Sequence, residues 1–379
     1  MHTLDIILLA DFLSALLLAA LMILLILKVA YSNRLFDIPN ERKVHEIPVP
    51  RLGGVSFLPT IVVVCTFTIG VIYSLGLTTK SFGEVKSFVN LTYLLGGAIL
   101  LFIVGLADDL ADVGFKIKFA VQFLVALVIV ASGMYIHNLY GLFGIHELPD
   151  FVGITFTILL LIFITNAINL IDGIDGLASG IVAISLVCFC VIYVFERKFV
   201  PAMVSLTTLG AVSVFWLFNI FGTREKKTKL FMGDTGSLLL GLILCYLIIN
   251  LDTFIGHNGP TRNTKYYVIA FSSLMIPLLD VIRVMGYRII KHKSPFLPDM
   301  NHIHHLLLKT GFSTRKALFI LLAIDIVLIA LNSILCRVLN VNILFVIDIV
   351  IYCALIWYID SKKTPESVSL KSLIDNGYR

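Results

Sequence analysis

Charge is scarce in this chain: charged residues make up 14% of its 379 positions, whereas 59% are hydrophobic. A water-soluble domain of this size needs far more charge to cover its surface. The composition therefore excludes a soluble globular protein and predicts one that crosses a membrane several times.

Cysteine is sparse and unpatterned. The six cysteines lie mostly inside apolar runs, and none has the spacing of metal ligands. We expect them to be small buried apolar residues. The first apolar run, 6–31, is preceded by no basic region and contains no clear cleavage site, so we expect a retained first helix.

Internal repeats and long polar linkers are also lacking, which weakens the case for an inverted-repeat transporter. A helix needs about 20 apolar residues to cross the hydrocarbon core, and this length predicts eleven spans. They are about 5–31, 53–75, 89–106, 117–134, 149–168, 176–195, 200–221, 235–250, 266–288, 314–337 and 342–360. The expected fold is an all-α polytopic helical bundle, with one membrane domain, 1–360, and a tail, 361–379.

The basic residues are distributed unequally between the two sides of these spans. The loops and flanks of one side hold 21 Lys and Arg residues, and those of the other side hold seven. Because Lys and Arg concentrate in cytoplasmic loops, the richer side is predicted to be cytoplasmic. With eleven spans, the N-terminus is then outside and the tail is cytoplasmic.

Five polar loops fall on this predicted cytoplasmic face, and the opposite face carries nothing comparable. They are 41–54, 106–112, 169–176, 231–237 and 298–305. A proton or ion pathway would place carboxylates through the depth of the membrane. Polar loops at one interface favour an enzyme that acts on a cytosolic substrate and a lipid, over a non-enzymatic transporter.

The loop DDLAD contains Asp108, Asp109 and Asp112. Clustered carboxylates repel one another unless a cation or a proton intervenes, and oxygen ligands favour Mg²⁺ or Mn²⁺. Lys116 and Lys118 follow and could neutralise phosphate. The alternative is a solvated charged loop that joins two helices.

The stretch NAINLIDGIDGLAS, 166–179, places Asn169, Asp172 and Asp175 at intervals of three residues. Such side chains can bind a metal, a ribose hydroxyl or a base edge, and Gly173 and Gly176 let a ligand approach the backbone. A helix C-cap followed by an Asp N-cap is the alternative, although it leaves the doubled D-G unexplained.

In FMGDTGS, Asp234 lies directly before the eighth predicted span, 235–250. It could bind a metal, or cap a helix whose free N–H groups face phosphate. Phe231 could stack on a base, with ordinary packing as the commoner role for a lone aromatic residue.

The loop NHIHH contains His302, His304 and His305, with Arg288 on the preceding helix end. Zinc is one alternative for three histidines, but no cysteine is nearby, and phosphate contacts are preferred. Further basic residues in the 41–54 loop are candidates for lipid phosphate as well as an ordinary membrane anchor. They are Lys43, His45 and Arg51.

Four motifs, DDLAD, NAINLIDGIDGLASG, FMGDTGSLLLG and SPFLPDMNHIHHLLLKTGF, resemble the polyprenyl-phosphate N-acetylhexosamine-1-phosphate transferases. The resemblance runs over about 30–315 and is greatest to the undecaprenyl-phosphate N-acetylglucosaminyl branch. It implies a Mg²⁺-dependent enzyme (Mn²⁺ is the alternative) that transfers N-acetylhexosamine-1-phosphate from a UDP-sugar to undecaprenyl phosphate and releases UMP. N-acetylglucosamine is the expected sugar, and the chain would start envelope polysaccharide synthesis at the bacterial inner membrane.

The resemblance also implies roles for individual residues. Asp108 and Asp109, with Asp112, would form the catalytic group, and Asn169 and Asp234 would neighbour the metal. The uridine site would comprise Asp172, Asp175 and Phe231. The sugar diphosphate would face Lys118, Arg288, His302, His304 and His305.

Other readings stay open at this point. The enzyme could resemble phospho-N-acetylmuramoyl-pentapeptide transferase, although HIHH favours the simpler hexosamine branch. A covalent aspartyl-phosphate route is an alternative to direct displacement. A homodimer is expected by family analogy alone, and no nucleic-acid partner is expected. Asp325 and Asp348, inside late spans, have no assigned role.

Overall fold

The computed structural model describes residues 3–36, 49–77, 85–255, 260–294 and 300–362. Within these ranges the chain forms thirteen α-helices and a short β-hairpin. The helices are α1 (Thr3–Ser32), α2 (Phe57–Ser74), α3 (Val85–Ala111), α4 (Phe115–Ala131), α5 (Asp150–Ile171), α6 (Leu177–Phe195), α7 (Phe199–Phe221), α8 (Gly233–Ile255), α9 (Pro260–Ser272), α10 (Met275–Ile290), α11 (Ile303–Lys309), α12 (Thr314–Leu335) and α13 (Val341–Ser361).

The helices agree with the predicted spans in position. In the described part of the chain, nine are long and apolar enough to cross a membrane, and α9 with α10 makes a tenth span that is bent by 64°. The remaining predicted span is α4, which has 17 residues. At 1.5 Å per residue it is about 26 Å long, slightly less than a hydrocarbon core. The prediction of a polytopic helical bundle is confirmed.

Helix α8 is the centre of the bundle, because every residue of its span Gly233–Leu251 is buried. Glycines bring neighbouring backbones against it. A Cβ on Gly241 would lie 2.5 Å from the Cα of Thr165 in α5, and one on Gly105 in α3 would lie 2.6 Å from the Cα of Thr235. Small residues at such crossings allow the helices to approach closely, which fixes the start of α8 between its neighbours.

The break between α9 and α10 is held by polar side chains. Asn332 of α12 donates a hydrogen bond to Ser272 Oγ (2.8 Å) and contacts both carboxylate oxygens of Asp348 in α13 (2.9 and 3.0 Å). Asp348 therefore has a structural partner. Asp325, also in α12, is fully buried, and its carboxylate has no hydrogen-bond partner among the described residues.

A two-stranded antiparallel hairpin follows α4, in a segment where the sequence predicted no regular structure. It pairs β1 (Asn138–Leu142) with β2 (Ile145–Glu147). Asn342, at the start of α13, accepts a hydrogen bond from Phe143 N (2.7 Å) and donates one to Gly141 O (2.8 Å). These two bonds attach the hairpin to the last helix.

Gly105→Ala should destabilise the protein, because the added Cβ meets the backbone of Thr235, which cannot move without displacing α8. Overpacking of this kind costs about 1–3 kcal/mol. Gly96→Ala in the same helix is the matched control, since no atom lies within 4 Å of its Cβ position. Thermal unfolding in detergent should show a lower melting temperature for Gly105→Ala only, and equal melting temperatures would contradict the packing described here.

Candidate active site

The N-terminus of α8 is held by the carboxylate of Asp109. Asp109 Oδ1 accepts from Asp234 N (2.8 Å), and Oδ2 accepts from Thr235 N (3.0 Å) and Thr235 Oγ1 (2.6 Å). Gly233 precedes them with a φ of +74°, and a Cβ there would lie 2.4 Å from Asp109 Oδ2. The N–H groups that the sequence suggested for phosphate are therefore occupied by a carboxylate from α3, and that expectation is wrong for these two groups.

Lys118 of α4 lies between two carboxylates. Its Nζ is 3.1 Å from Asp108 Oδ2 and 2.9 Å from Asp234 Oδ2. The other oxygen of Asp108, Oδ1, is buried and has no hydrogen-bond partner in the described part of the chain. Two carboxylates in a low-dielectric site repel each other strongly. The ammonium of Lys118 offsets this repulsion. The ends of α3, α4 and α8 thus meet at one charged centre.

The C-terminal end of α5 lies beside this centre. Asn169 Nδ2 donates to Ser237 Oγ at 2.8 Å, which joins α5 to the first turn of α8. Asp172 ends the helix, and its carboxylate is half-buried. Burial and the neighbouring Asp175 raise the pKa of Asp172 to about 7, although Arg51 acts in the opposite direction. Asp172 is therefore close to its titration midpoint near neutral pH.

Backbone hydrogen bonds bring the segment before α2 to the site. Phe231 N donates to Pro50 O, Gly53 N donates to Phe231 O, and Gly54 N donates to Met232 O, each at 2.8 Å. This pairing explains how Arg51 comes within electrostatic reach of Asp172. The other two lipid-phosphate candidates, Lys43 and His45, lie outside the described residues.

Asp175 forms an ion pair that the spacing of the motif did not suggest. Lys229 Nζ is 2.6 Å from Asp175 Oδ2, and Asn219 Nδ2 is 3.3 Å from Asp175 Oδ1. Asn219 also accepts from Gly176 N (2.6 Å) and donates to Leu230 O (2.9 Å). These contacts tie the loop before α8 to the turn after α5. Lys229 could have been noticed in the sequence as a lysine two residues before Phe231.

The histidine loop reaches the same turn. Gly173 has no room for a side chain, since a Cβ there would lie 1.9 Å from His304 Nε2. Burial, with a contribution from His305, holds the pKa of His304 well below its usual range, so its imidazole is neutral. The rings of His302 and His304 are parallel, with centroids 5.9 Å apart. Arg288 is buried in the last turn of α10.

Sequence reasoning missed the residue that holds this loop, Asp280 of α10. Its carboxylate is 2.7 Å from His302 Nδ1 and also accepts from Arg283 and Tyr352. The available signal was an aspartate inside an apolar predicted span.

Asp112 stands apart from the other aspartates of DDLAD. Helix α3 ends at Ala111, and Asp112 follows with a φ of +52° and an exposed side chain. Its carboxylate makes no hydrogen bond or ion pair with the described residues. The charged centre is built from Asp108 and Asp234, with Asp109 directly behind them.

A hard divalent cation fits the donor atoms at this centre. No group of three or more His, Cys, Asp or Glu residues in the described ranges is placed to hold a metal by itself. Asp108, Asp234 and the Asn169 amide nevertheless supply oxygen, and Asp108 Oδ1 lacks a protein partner. Hard divalent cations are commonly bound by one or two carboxylates with substrate phosphates completing the shell, and the donor atoms here are of that type.

The fold and the site together define a polytopic helical membrane protein with a carboxylate–lysine centre at one end of its bundle. The sequence profile of glycosyl transferase family 4 matches residues 91–252, which include most of that centre. A protein of Escherichia coli (strain K12), named undecaprenyl-phosphate alpha-N-acetylglucosaminyl 1-phosphate transferase, is 32% identical over 324 residues, which cover 84% of this chain and 81% of the relative.

Two further relatives agree. A protein of the same name from Yersinia pestis is 32% identical over 308 residues, 80% of this chain and 77% of the relative. In Bacillus subtilis (strain 168), a probable undecaprenyl-phosphate N-acetylglucosaminyl 1-phosphate transferase is 29% identical over 307 residues, 79% of this chain and 77% of the relative. The chain belongs to glycosyl transferase family 4.

Asp109→Asn should destabilise the protein, because an amide offers one acceptor oxygen and turns its NH₂ group toward donors at the start of α8. Leaving buried donors unsatisfied costs about 1–3 kcal/mol. Asp112→Asn, the same change three positions away on an exposed side chain, should alter stability by less than about 0.5 kcal/mol. Melting temperatures in detergent check both values, and equal effects would contradict the assignment of Asp109 to the end of α8.

Proposed function

We propose that this protein transfers N-acetylglucosamine-1-phosphate from UDP-N-acetylglucosamine to undecaprenyl phosphate and releases UMP. The observation that carries the proposal is the contact of Lys118 with Asp108 and Asp234 at one end of a membrane bundle. Phosphoryl transfer needs positioned cationic and metal-binding groups more than it needs covalent chemistry by the protein. The names of the relatives supply the substrates.

Asn169 and Asp234 would hold the metal, with Asp108 beside them. Enzymes of this family generally depend on a divalent metal, and we propose Mg²⁺, with Mn²⁺ as the alternative. The bound cation would neutralise charge on the sugar diphosphate. Lys118 would supply a fixed positive charge to the oxygens of the sugar diphosphate.

Asp108 would lie at the acceptor phosphate. A phosphate monoester has a second pKa near 6 and is mostly dianionic at neutral pH. A general base therefore offers little, unless the surrounding carboxylates raise the pKa of the acceptor. We propose that Asp108 mainly positions the acceptor, and that Asp109 acts by holding α8 in place.

The nucleotide would lie at the turn after α5. The half-buried carboxylate of Asp172 is available to accept from uridine, and Phe231 is half-exposed on the neighbouring loop. The ion pair of Asp175 with Lys229 supports a positioning role for Asp175 rather than a direct uridine contact. The histidine loop, with His302, His304 and His305, and Arg288 would face the sugar diphosphate.

An apolar cavity of about 230 Å³ offers a place for part of the prenyl chain. It lies between α5, α9, α10, α13 and the hairpin. Leu279 and Ile282 line its α10 side, next in sequence to Asp280 and Arg283, which hold the histidine loop. Its other lining residues include Tyr140, Phe156, Leu160, Leu278 and Phe345.

The charge bias of the loops supports a cytoplasmic site and C-terminal tail, with the N-terminus outside the bacterial inner membrane. A homodimer stays an expectation from family analogy.

The test is turnover of the purified protein in detergent. With Mg²⁺, undecaprenyl phosphate and UDP-N-acetylglucosamine, we expect stoichiometric UMP and lipid-linked sugar, and neither product without the lipid. A panel of other UDP-N-acetylhexosamines tests the sugar. UMP formation that does not require lipid phosphate, or no product with any UDP-sugar, would contradict the proposal.

The affinity for UDP-N-acetylglucosamine should fall as the pH drops below about 7. The pKa of Asp172 is about 7, so acid converts a hydrogen-bond acceptor into a carboxylic acid. Well below this pKa the loss approaches about tenfold per pH unit, because binding must first remove the proton. Calorimetric titrations at several pH values measure it. Asp172→Asn should bind more weakly and lose this slope, and an unchanged slope in that variant would assign it to another group.

A further inference from the structure

Asp280 of α10 contacts the histidine loop directly, at both His302 and Ile303. It is fully buried, and its two oxygens accept four hydrogen bonds. Oδ2 contacts His302 Nδ1 at 2.7 Å. Oδ1 accepts from Arg283 Nη2 (2.8 Å), Tyr352 OH (2.9 Å) and Ile303 N (3.0 Å).

Arg283 and Tyr352 complete the arrangement. Arg283 Nη2 also donates to Asn301 O at 2.5 Å, and its Nε lies 3.2 Å from Tyr352 OH. Residues 301–303 are thus held at a backbone carbonyl, a ring nitrogen and a backbone N–H by two side chains of α10, which Tyr352 of α13 contacts in turn. A buried carboxylate with this many donors keeps one geometry, because movement would leave donors unsatisfied.

This geometry decides which nitrogen of His302 is available. Because Asp280 engages Nδ1, that nitrogen carries the proton, and Nε2 is left for substrate. The ring of His304 is parallel to that of His302 and packs against Gly173, the residue after Asp172. The carboxylate of Asp280 therefore fixes the position of His302 and His304 relative to the turn after α5, where the nucleotide is proposed to bind.

We propose that Asp280 is a positioning residue for the transferase reaction. It fixes the tautomer and ring orientation of His302, with Arg283 and Tyr352 as its supports, so that His302 meets the sugar diphosphate in one orientation. The proposal rests on the function proposed above. A carboxylate that orients a metal-bound histidine is a recurrent arrangement whose loss typically costs roughly 10- to 100-fold in activity, and we expect a loss of this order for a histidine that binds substrate.

The competing explanation is purely structural. Asp280 and Arg283 are three residues apart, so their ion pair could serve only to stabilise α10. A structural defect lowers the amount of folded enzyme and leaves the kinetics of the folded fraction unchanged. A positioning defect lowers kcat in protein that is still folded. The same substitution then has no further effect on kcat in a variant that lacks His302.

The experiment is a double-mutant cycle with Asp280→Asn and His302→Gln, measured as kcat and KM per folded molecule. We expect Asp280→Asn to lower kcat roughly 10- to 100-fold, with KM for undecaprenyl phosphate changed less than about threefold. In the His302→Gln background the same change should have little further effect. Independent effects that multiply in the double variant, or wild-type kcat in Asp280→Asn, would overturn the proposal.

Two further variants guard against a folding failure. Tyr352→Phe removes one donor to Asp280 and keeps the ring in place, so we expect a smaller loss of kcat that is again absent without His302. Asp325→Asn removes another buried carboxylate, one with no hydrogen-bond partner among the described residues. The effects of Asp325→Asn and His302→Gln on kcat should be independent and multiply in the double variant. If Asp325 and His302 were instead coupled as strongly as Asp280 and His302, the cycle would report general destabilisation and the proposal would fail.

The two proposals can fail separately. Wild-type protein that makes no lipid-linked sugar would refute the proposed function. Active wild-type protein with uncoupled Asp280 and His302 would refute only the positioning role.

Discussion

The contact of Lys118 with Asp108 and Asp234 is the interaction on which the rest of the site depends. Two carboxylates removed from water repel each other strongly, and an ammonium 3.1 and 2.9 Å away offsets that repulsion. Because the three side chains come from α3, α4 and α8, the charge balance also holds three helix ends together. A centre of this composition is consistent with the divalent metal on which enzymes of the family generally depend.

Close packing gives this charge centre its position. The span Gly233–Leu251 of α8 is wholly buried, and the glycines at 105 and 241 leave its backbone little freedom against α3 and α5. Asp109 then fixes the first turn from behind through hydrogen bonds to Asp234 and Thr235. The apolar bundle thus determines a polar geometry at its end, since a shift of α8 would break both the packing and the hydrogen bonds.

The sequence was sufficient for the spans, because an apolar run of the right length has few alternatives in a membrane protein. It also indicated which polar loops would meet. It could not separate Asp109 from Asp112, since that depends on helix α3 ending at Ala111 and on the approach of α8. The pairs Asp175–Lys229 and Asp280–His302 join residues far apart in the chain, and spacing carries no information about such contacts. The hairpin was missed because its strands are five and three residues long.

The contact between Gly173 and His304 has an evolutionary consequence. Any side chain at position 173 would occupy the space of the imidazole, so a histidine at position 304 requires glycine at position 173. A side chain added at position 173 alone would displace the imidazole of His304. The two loops should therefore be inherited as a unit, and chimaeras that exchange one without the other should lose the fit between the two halves of the chain.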